Sequence, residues 1–123
     1  MSGNSFLLDT NIVLYLLGGD DTLATMLHEK QIHLSCISQI ELLGFKRMTS
    51  VEKKKIDSFL STCNIHDLNS EIKKMTIDIR RRYRIKVPDA IIAATALFNG
   101  CPLVTADKQF VALSEMEIVF YER

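Results

Sequence analysis

Four acidic residues stand out by their position in the 123-residue chain. Asp9 closes the apolar run Phe6-Leu7-Leu8, and Glu41 follows Ser38-Gln39-Ile40. Asp89 sits between Val87-Pro88 and Ala90-Ile91-Ile92, and Asp107 follows Leu103-Val104-Thr105-Ala106. Carboxylates set beside core segments are costly unless they are paired or coordinated. Brought together, they repel and raise one another's pKa. A divalent cation relieves both problems. An all-oxygen ligand set suits Mg²⁺ or Mn²⁺, which keep several waters and leave room for a phosphate.

Each acid also has an ordinary explanation. Helix N-termini favour negative charge through their unsatisfied N–H groups and the helix dipole. Ser38-Gln39-Ile40-Glu41 has the spacing of a capping box with Glu41 at N3. Asp89 after Pro88 is first-turn chemistry, and Asp9 and Asp107 could each cap a helix. Capping accounts for the positions one at a time. It does not account for three of them, Asp9, Asp89 and Asp107, interrupting strongly apolar surroundings.

Rival chemistries leave no trace in the sequence. There is no nucleophile elbow, no phosphate-binding glycine loop and no His-Glu-x-x-His helix. His28, His33 and His66 are scattered without ligand spacing and read as surface or partly buried side chains. Cys36, Cys63 and Cys101 are odd in number and contain no CxxC, so they read as three buried thiols in a reducing cytoplasm.

The elements that must position the acids are short apolar runs alternating with helical patterns. Strands are expected at residues 5–8, 33–37, 64–67, 103–105 and 118–121. Helices are expected at 11–17, 22–30, 38–48, 51–63, 70–84, 88–98 and 108–113, with Asn99-Gly100 closing the sixth. Such interleaving implies an α/β fold with a mostly parallel sheet, whose ligands bind outside the carboxyl ends of the strands. With no linker, repeat or Pro-rich boundary, residues 1–123 read as a single domain.

The formal net charge is zero, which by itself argues against both a basic nucleic-acid-binding tail and an acidic disordered chain. The charge is unevenly spread, however: residues 1–45 carry −4, residues 46–86 carry +7 and residues 87–123 carry −3. Arg80, Arg81, Arg82, Arg84 and Lys86 form the densest basic cluster and run directly into Asp89. Arginine forks suit phosphate recognition, so this cluster is a candidate surface for a nucleic-acid backbone. The lysine triplet Lys53-Lys54-Lys55 reads as a solvated helix face. No stretch is long enough to span a bilayer, and the N-terminus lacks the pattern of a signal peptide. A cytoplasmic protein without a membrane association is expected. The run Ile12–Leu17 is too uniformly apolar for a surface helix; it is either a core helix or a groove for a partner helix, and exposure of Leu16 or Leu17 would favour the groove.

Taken in order, these segments resemble the PIN-domain nucleases, and more specifically the small VapC toxins of type II toxin–antitoxin pairs. Phe6-Leu7-Leu8-Asp9-Thr10-Asn11 is similar to the family's opening strand, and Ser38-Gln39-Ile40-Glu41-Leu42 to its second acidic position. Lys86 to Ala96 resembles its most recognisable helix, and Leu103-Val104-Thr105-Ala106-Asp107-Lys108-Gln109-Phe110 its fourth motif. The resemblance covers the chain nearly end to end, with Asp89 and Asp107 separated by 18 positions. The 48 positions from Glu41 to Asp89 are toward the compact end for the family, so the helices framing a substrate groove are expected to be short.

The resemblance implies an α/β/α sandwich and an Mg²⁺- or Mn²⁺-dependent endoribonuclease. Asp9, Glu41, Asp89 and Asp107 are then both the metal site and the catalytic set. Asp9 and Asp89 are expected to ligate directly; Glu41 and Asp107 would act through water or orient the nucleophile. Asn11 and Thr105 are candidates to hydrogen-bond a carboxylate and fix its direction, although local turn and capping chemistry explains them equally well. A bound metal would activate water and polarise a phosphoryl oxygen, a second one stabilising the leaving oxygen. The implied partners are an RNA substrate, a cognate VapB-like antitoxin and a second copy in a homodimer. Two alternatives stay open: a PIN nuclease of RNA processing without an antitoxin, and a non-catalytic PIN-fold RNA-binding or interaction module.

Overall fold

Ser5–Leu8 (β1) lies at the centre of a parallel sheet in the computed structural model, which describes residues 4–123. Residues 1–3, part of the stretch read for a signal peptide, lie outside the described residues. Gln31–Ser35 (β2) and Leu103–Thr105 (β4) flank β1, while Asn64–His66 (β3) and Ile118–Phe120 (β5) form the edges. The order is β3-β2-β1-β4-β5, and every pairing is parallel.

Side chains alternate across a strand, so successive residues feed opposite layers. Leu7 and Leu103 enter a core with the apolar faces of Ser70–Arg82 (α5) and Val87–Asn99 (α6). Leu8 and Val104 enter a second core built with Thr10–Leu17 (α1), Asp21–Leu27 (α2), Cys36–Leu43 (α3) and Ser50–Leu60 (α4). Both faces of the central strands are therefore buried, which is why these strands read as unbroken apolar runs. The result is an α/β/α sandwich. A short 3₁₀ helix, Lys108–Ala112, joins β4 to β5 and seats Phe110 in the first core.

Helix α6 is buried continuously from Ala90 to Ala96. It stops at Gly100, whose φ of 64° is left-handed, a conformation that glycine adopts without a Cβ penalty. The Cys101 N–H then returns to the Ala96 carbonyl at 3.0 Å, turning the chain into β4.

Of the boundaries that differ from the sequence expectation, two bear on the site. Strand β2 stops at Ser35 because the Ser35 hydroxyl accepts the Ile37 N–H at 3.1 Å and caps α3. Ser38 is therefore inside α3 and fully buried, and the expected Ser38–Glu41 capping box does not form. A capping box does form at Thr49 and Glu52, opening α4. Helix α3 also ends at Leu43 rather than near residue 48, leaving residues 44–49 as a loop.

The cysteines also differ. Cys101 is buried, but Cys36 and Cys63 are only half-buried, and all three are free thiols.

Candidate metal centre

Strand order reverses between β1 and β4: the chain leaves β1 toward β2 on one side and returns to β4 on the other. Open α/β sheets bind ligands at such switch points, where the connecting loops part. Asp9 follows β1 and Asp107 follows β4, so both stand on this crevice. The Asp9 N–H reaches the Val104 carbonyl at 2.9 Å and extends the β1–β4 pairing.

Asp9 is only 6% exposed. Its Oδ1 accepts the Thr10 N–H at 2.8 Å, and its Oδ2 accepts the Thr105 hydroxyl at 2.7 Å. Thr105 Oγ1 in turn accepts the Asp107 N–H at 3.0 Å. Asp107 caps the 3₁₀ helix through the Gln109 N–H. Asp89 lies in the first turn of α6 behind Pro88, as expected of an acid near a helix N-terminus. Glu41 is placed differently from expectation. It lies near the C-terminal end of α3, and its Oε1 accepts the Thr10 hydroxyl at 2.6 Å. Thr10 Oγ1 is also 2.9 Å from Ser38 Oγ. A carboxylate has no proton to give, so the Thr10 proton goes to Glu41 and Ser38 donates to Thr10.

The four carboxylates line one cleft of about 390 Å³ with Thr10 and Asn11. Burial raises the pKa of Asp9 above the ordinary carboxylate value, and repulsion from Asp89 and Asp107 adds to it, against hydrogen bonds from Thr105 and Thr10. Asp89 is also raised, first by burial and then by repulsion from Asp107 and Glu41, while Gln109 and Lys86 act against the rise. The acids thus feel one another across the cleft. Arg47 is the one basic side chain among the described residues lining it.

The chemistry of this donor set suits a hard divalent cation: the four carboxylates, with Glu52 as a fifth, line one concave site that has Arg47 as its one basic side chain among the described residues. The set is open rather than closed. Among the described residues, no three His, Cys, Asp or Glu side chains form a ready cage. Mg²⁺ tolerates such a site, since it commonly takes one or two carboxylates and keeps its waters.

Other sequence candidates land elsewhere. Thr105 touches Asp9 directly, whereas Asn11 is exposed in the cleft lining and, among the described residues, hydrogen-bonds none of the four carboxylates. None of Arg80, Arg81, Arg82, Arg84 and Lys86 lines the cleft, although all five are exposed. Arg80 donates to the Ile85 carbonyl at 2.8 Å, and Arg82 pairs with Asp78 and Glu115. Lys86 occupies the N-cap position of α6, close enough to lower the Asp89 pKa. In Ile12–Leu17 the exposed side chain is Leu14, which lines the cleft; Leu16 and Leu17 are half-buried against the second core.

Thr10, Ser38, Phe45, Arg47, Met48 and Gln109 are at or behind the site without having been assigned to it. Thr10, Ser38 and Gln109 lie within the quoted motifs, a placement that could have flagged them. Phe45, Arg47 and Met48 had no sequence signal, because the helix was expected to run through them.

The profile of the PIN domain family matches residues 6–116. The chain belongs to the PIN-domain family. A toxin–antitoxin complex from Klebsiella pneumoniae contains a chain 30% identical to this PIN domain; the match covers 96% of this chain and 99% of that one, with a TM-score of 0.81. VapBC2 from Rickettsia felis, bound to a DNA fragment from its promoter, matches at 22% identity, 96% and 99% coverage and TM-score 0.82. FitAcB from Neisseria gonorrhoeae matches at 21%, 94% and 96%, and 0.77. These last two likenesses concern the fold. No curated protein matches the sequence. Among the described residues, no helix of this PIN domain is long and apolar enough to cross a membrane.

Proposed function

We propose that this PIN domain is a divalent-metal-dependent endoribonuclease acting as the toxin of a toxin–antitoxin pair. One observation carries the nuclease reading: four carboxylates from four separate elements line a single cleft at the switch point of the sheet. Asp9 and Asp89 would hold Mg²⁺ or Mn²⁺ directly, with Glu41 and Asp107 acting through water. The cation supplies activated water near neutral pH and neutralises charge at a phosphoryl oxygen.

The chain's own residues supply aim. Thr105 and the Thr10 N–H fix the two oxygens of Asp9, so its remaining lone pairs point into the cleft. The Thr10 hydroxyl draws Glu41 from the far end of α3 toward the same space. There Glu41 can accept a proton from an attacking water.

The toxin reading is supported by the 30%-identical chain found in a toxin–antitoxin complex. An antitoxin segment would find apolar purchase on Leu14, Leu42, Phe45, Met48 and Ile56, which line the same cleft. A homodimer belongs to the same proposal.

The test is cleavage of a panel of structured RNAs with Mg²⁺ or Mn²⁺ supplied. Wild type should cut; Asp9→Asn and Asp89→Asn should not, with unchanged circular dichroism. Equal cleavage by both variants would falsify the assignment of the centre. No cleavage by wild type, together with metal-independent RNA binding, would favour a non-catalytic module.

A further inference from the structure

Gln109 touches two of the four carboxylates at once. Its Nε2 lies 2.7 Å from Asp107 Oδ2 and 3.2 Å from Asp89 Oδ2. Its backbone N–H lies 3.0 Å from Asp107 Oδ1. An amide nitrogen carries two protons, so it can give one to each carboxylate. Asp89 belongs to the first turn of α6, whereas Asp107 follows β4, so the side chain of Gln109 joins two separate elements. Gln109 is exposed, so core packing does not explain its placement. Fixing a free glutamine costs rotamer entropy, and the charge-assisted hydrogen bonds are what offset it. Without a donor between them, Asp89 and Asp107 repel and would splay apart.

We propose that Gln109 is a positioning residue of the acidic centre, holding Asp89 and Asp107 convergent so that an arriving divalent cation meets both. This rests on the divalent-metal reading of the site. Because the amide is neutral, it gathers the two carboxylates without cancelling the negative charge that attracts the cation. Groups that orient metal-binding carboxylates in this way typically change metal affinity by about 10–100-fold when removed.

The experiment is calorimetric titration of Mn²⁺ into the full chain, comparing wild type with Gln109→Ala and Gln109→Met. Methionine is about as long as glutamine but has no proton to donate, so it keeps the bulk and removes the hydrogen bonds. Both variants should bind Mn²⁺ about 10-fold more weakly than wild type, with metal-free melting temperatures unchanged. Wild-type or tighter affinity in both variants overturns the proposal. Weakening in Gln109→Ala alone, with Gln109→Met like wild type, assigns the effect to bulk and also overturns it. Absence of Mn²⁺ binding by wild type itself overturns the metal reading, and the proposal with it.

Discussion

The Thr105 hydroxyl stands between two acid-bearing segments, donating to Asp9 Oδ2 and accepting from the Asp107 N–H. It is fully buried, and Asp9 beside it is only 6% exposed. Thr105→Val keeps the shape and removes both hydrogen bonds. Leaving a buried polar group unpaired costs about 1–3 kcal/mol, so the variant should unfold at lower urea with an unchanged slope. A midpoint equal to wild type would show that the hydroxyl is not holding the two segments. Thr10 and Asn11 illustrate the same scale. Neighbouring residues on a helix face different directions, so only one of the two can look toward α3. Thr10 does, and the sequence motif could not say which.

At the scale of elements, the neighbouring strands β2 and β3 are joined by an interaction beyond their backbone ladder. His33 Nδ1 and His66 Nε2 are 2.8 Å apart, and the rings stack with centroids 5.1 Å apart and 13° between planes. Register places Ser35, not His33, opposite His66, so the pair is diagonal. Sequence spacing of 33 positions hides this pairing, which is why the histidines looked scattered. Burial lowers both pKa values, and at His33 the charge of His66 adds to the effect. A histidine with a lowered folded pKa contributes stability above its unfolded value of 6.5 and loses it as pH falls through that value toward the folded one. Melting temperature should therefore fall as pH drops from about 7.5 to 5. The double variant His33→Leu/His66→Leu should flatten that part of the profile; an unaltered profile would remove the pair as its cause.

For the molecule as a whole, zero net charge conceals separate regions. The cleft is acidic, while Arg81, Arg84 and Lys86 are exposed without lining it. On the proposed ribonuclease reading, long RNA extends well beyond a cleft of about 390 Å³, and these cations would meet its flanking phosphates. Arg82 is a poorer candidate than its neighbours because it is paired with Asp78 and Glu115. Arg81→Glu combined with Arg84→Glu should weaken RNA binding across all sequences and reduce the salt slope by about 1 for each phosphate no longer neutralised. If the slope stays at its wild-type value, the cluster is a solvated face.

Local chemistry was enough to determine much of this protein. Apolar runs of strand length, the Asn99-Gly100 stop and the Val87-Pro88-Asp89 start specify their elements through backbone and side-chain preferences that act within a few residues. Asp9, Glu41, Asp89 and Asp107 were picked out by their sequence surroundings and by the motifs of the resemblance, and the structure brings all four to one cleft. The end of β2 was not legible, because Cys36-Ile37 continues its apolar pattern and only the Ser35 cap ends the strand. Nor could spacing show that Glu41 faces Thr10 across two helices, that His33 meets His66, or that Gln109 spans Asp89 and Asp107. These interactions join residues distant in sequence or on separate elements. The tertiary structure decides them, because sheet order and helix packing choose which short-range directions converge.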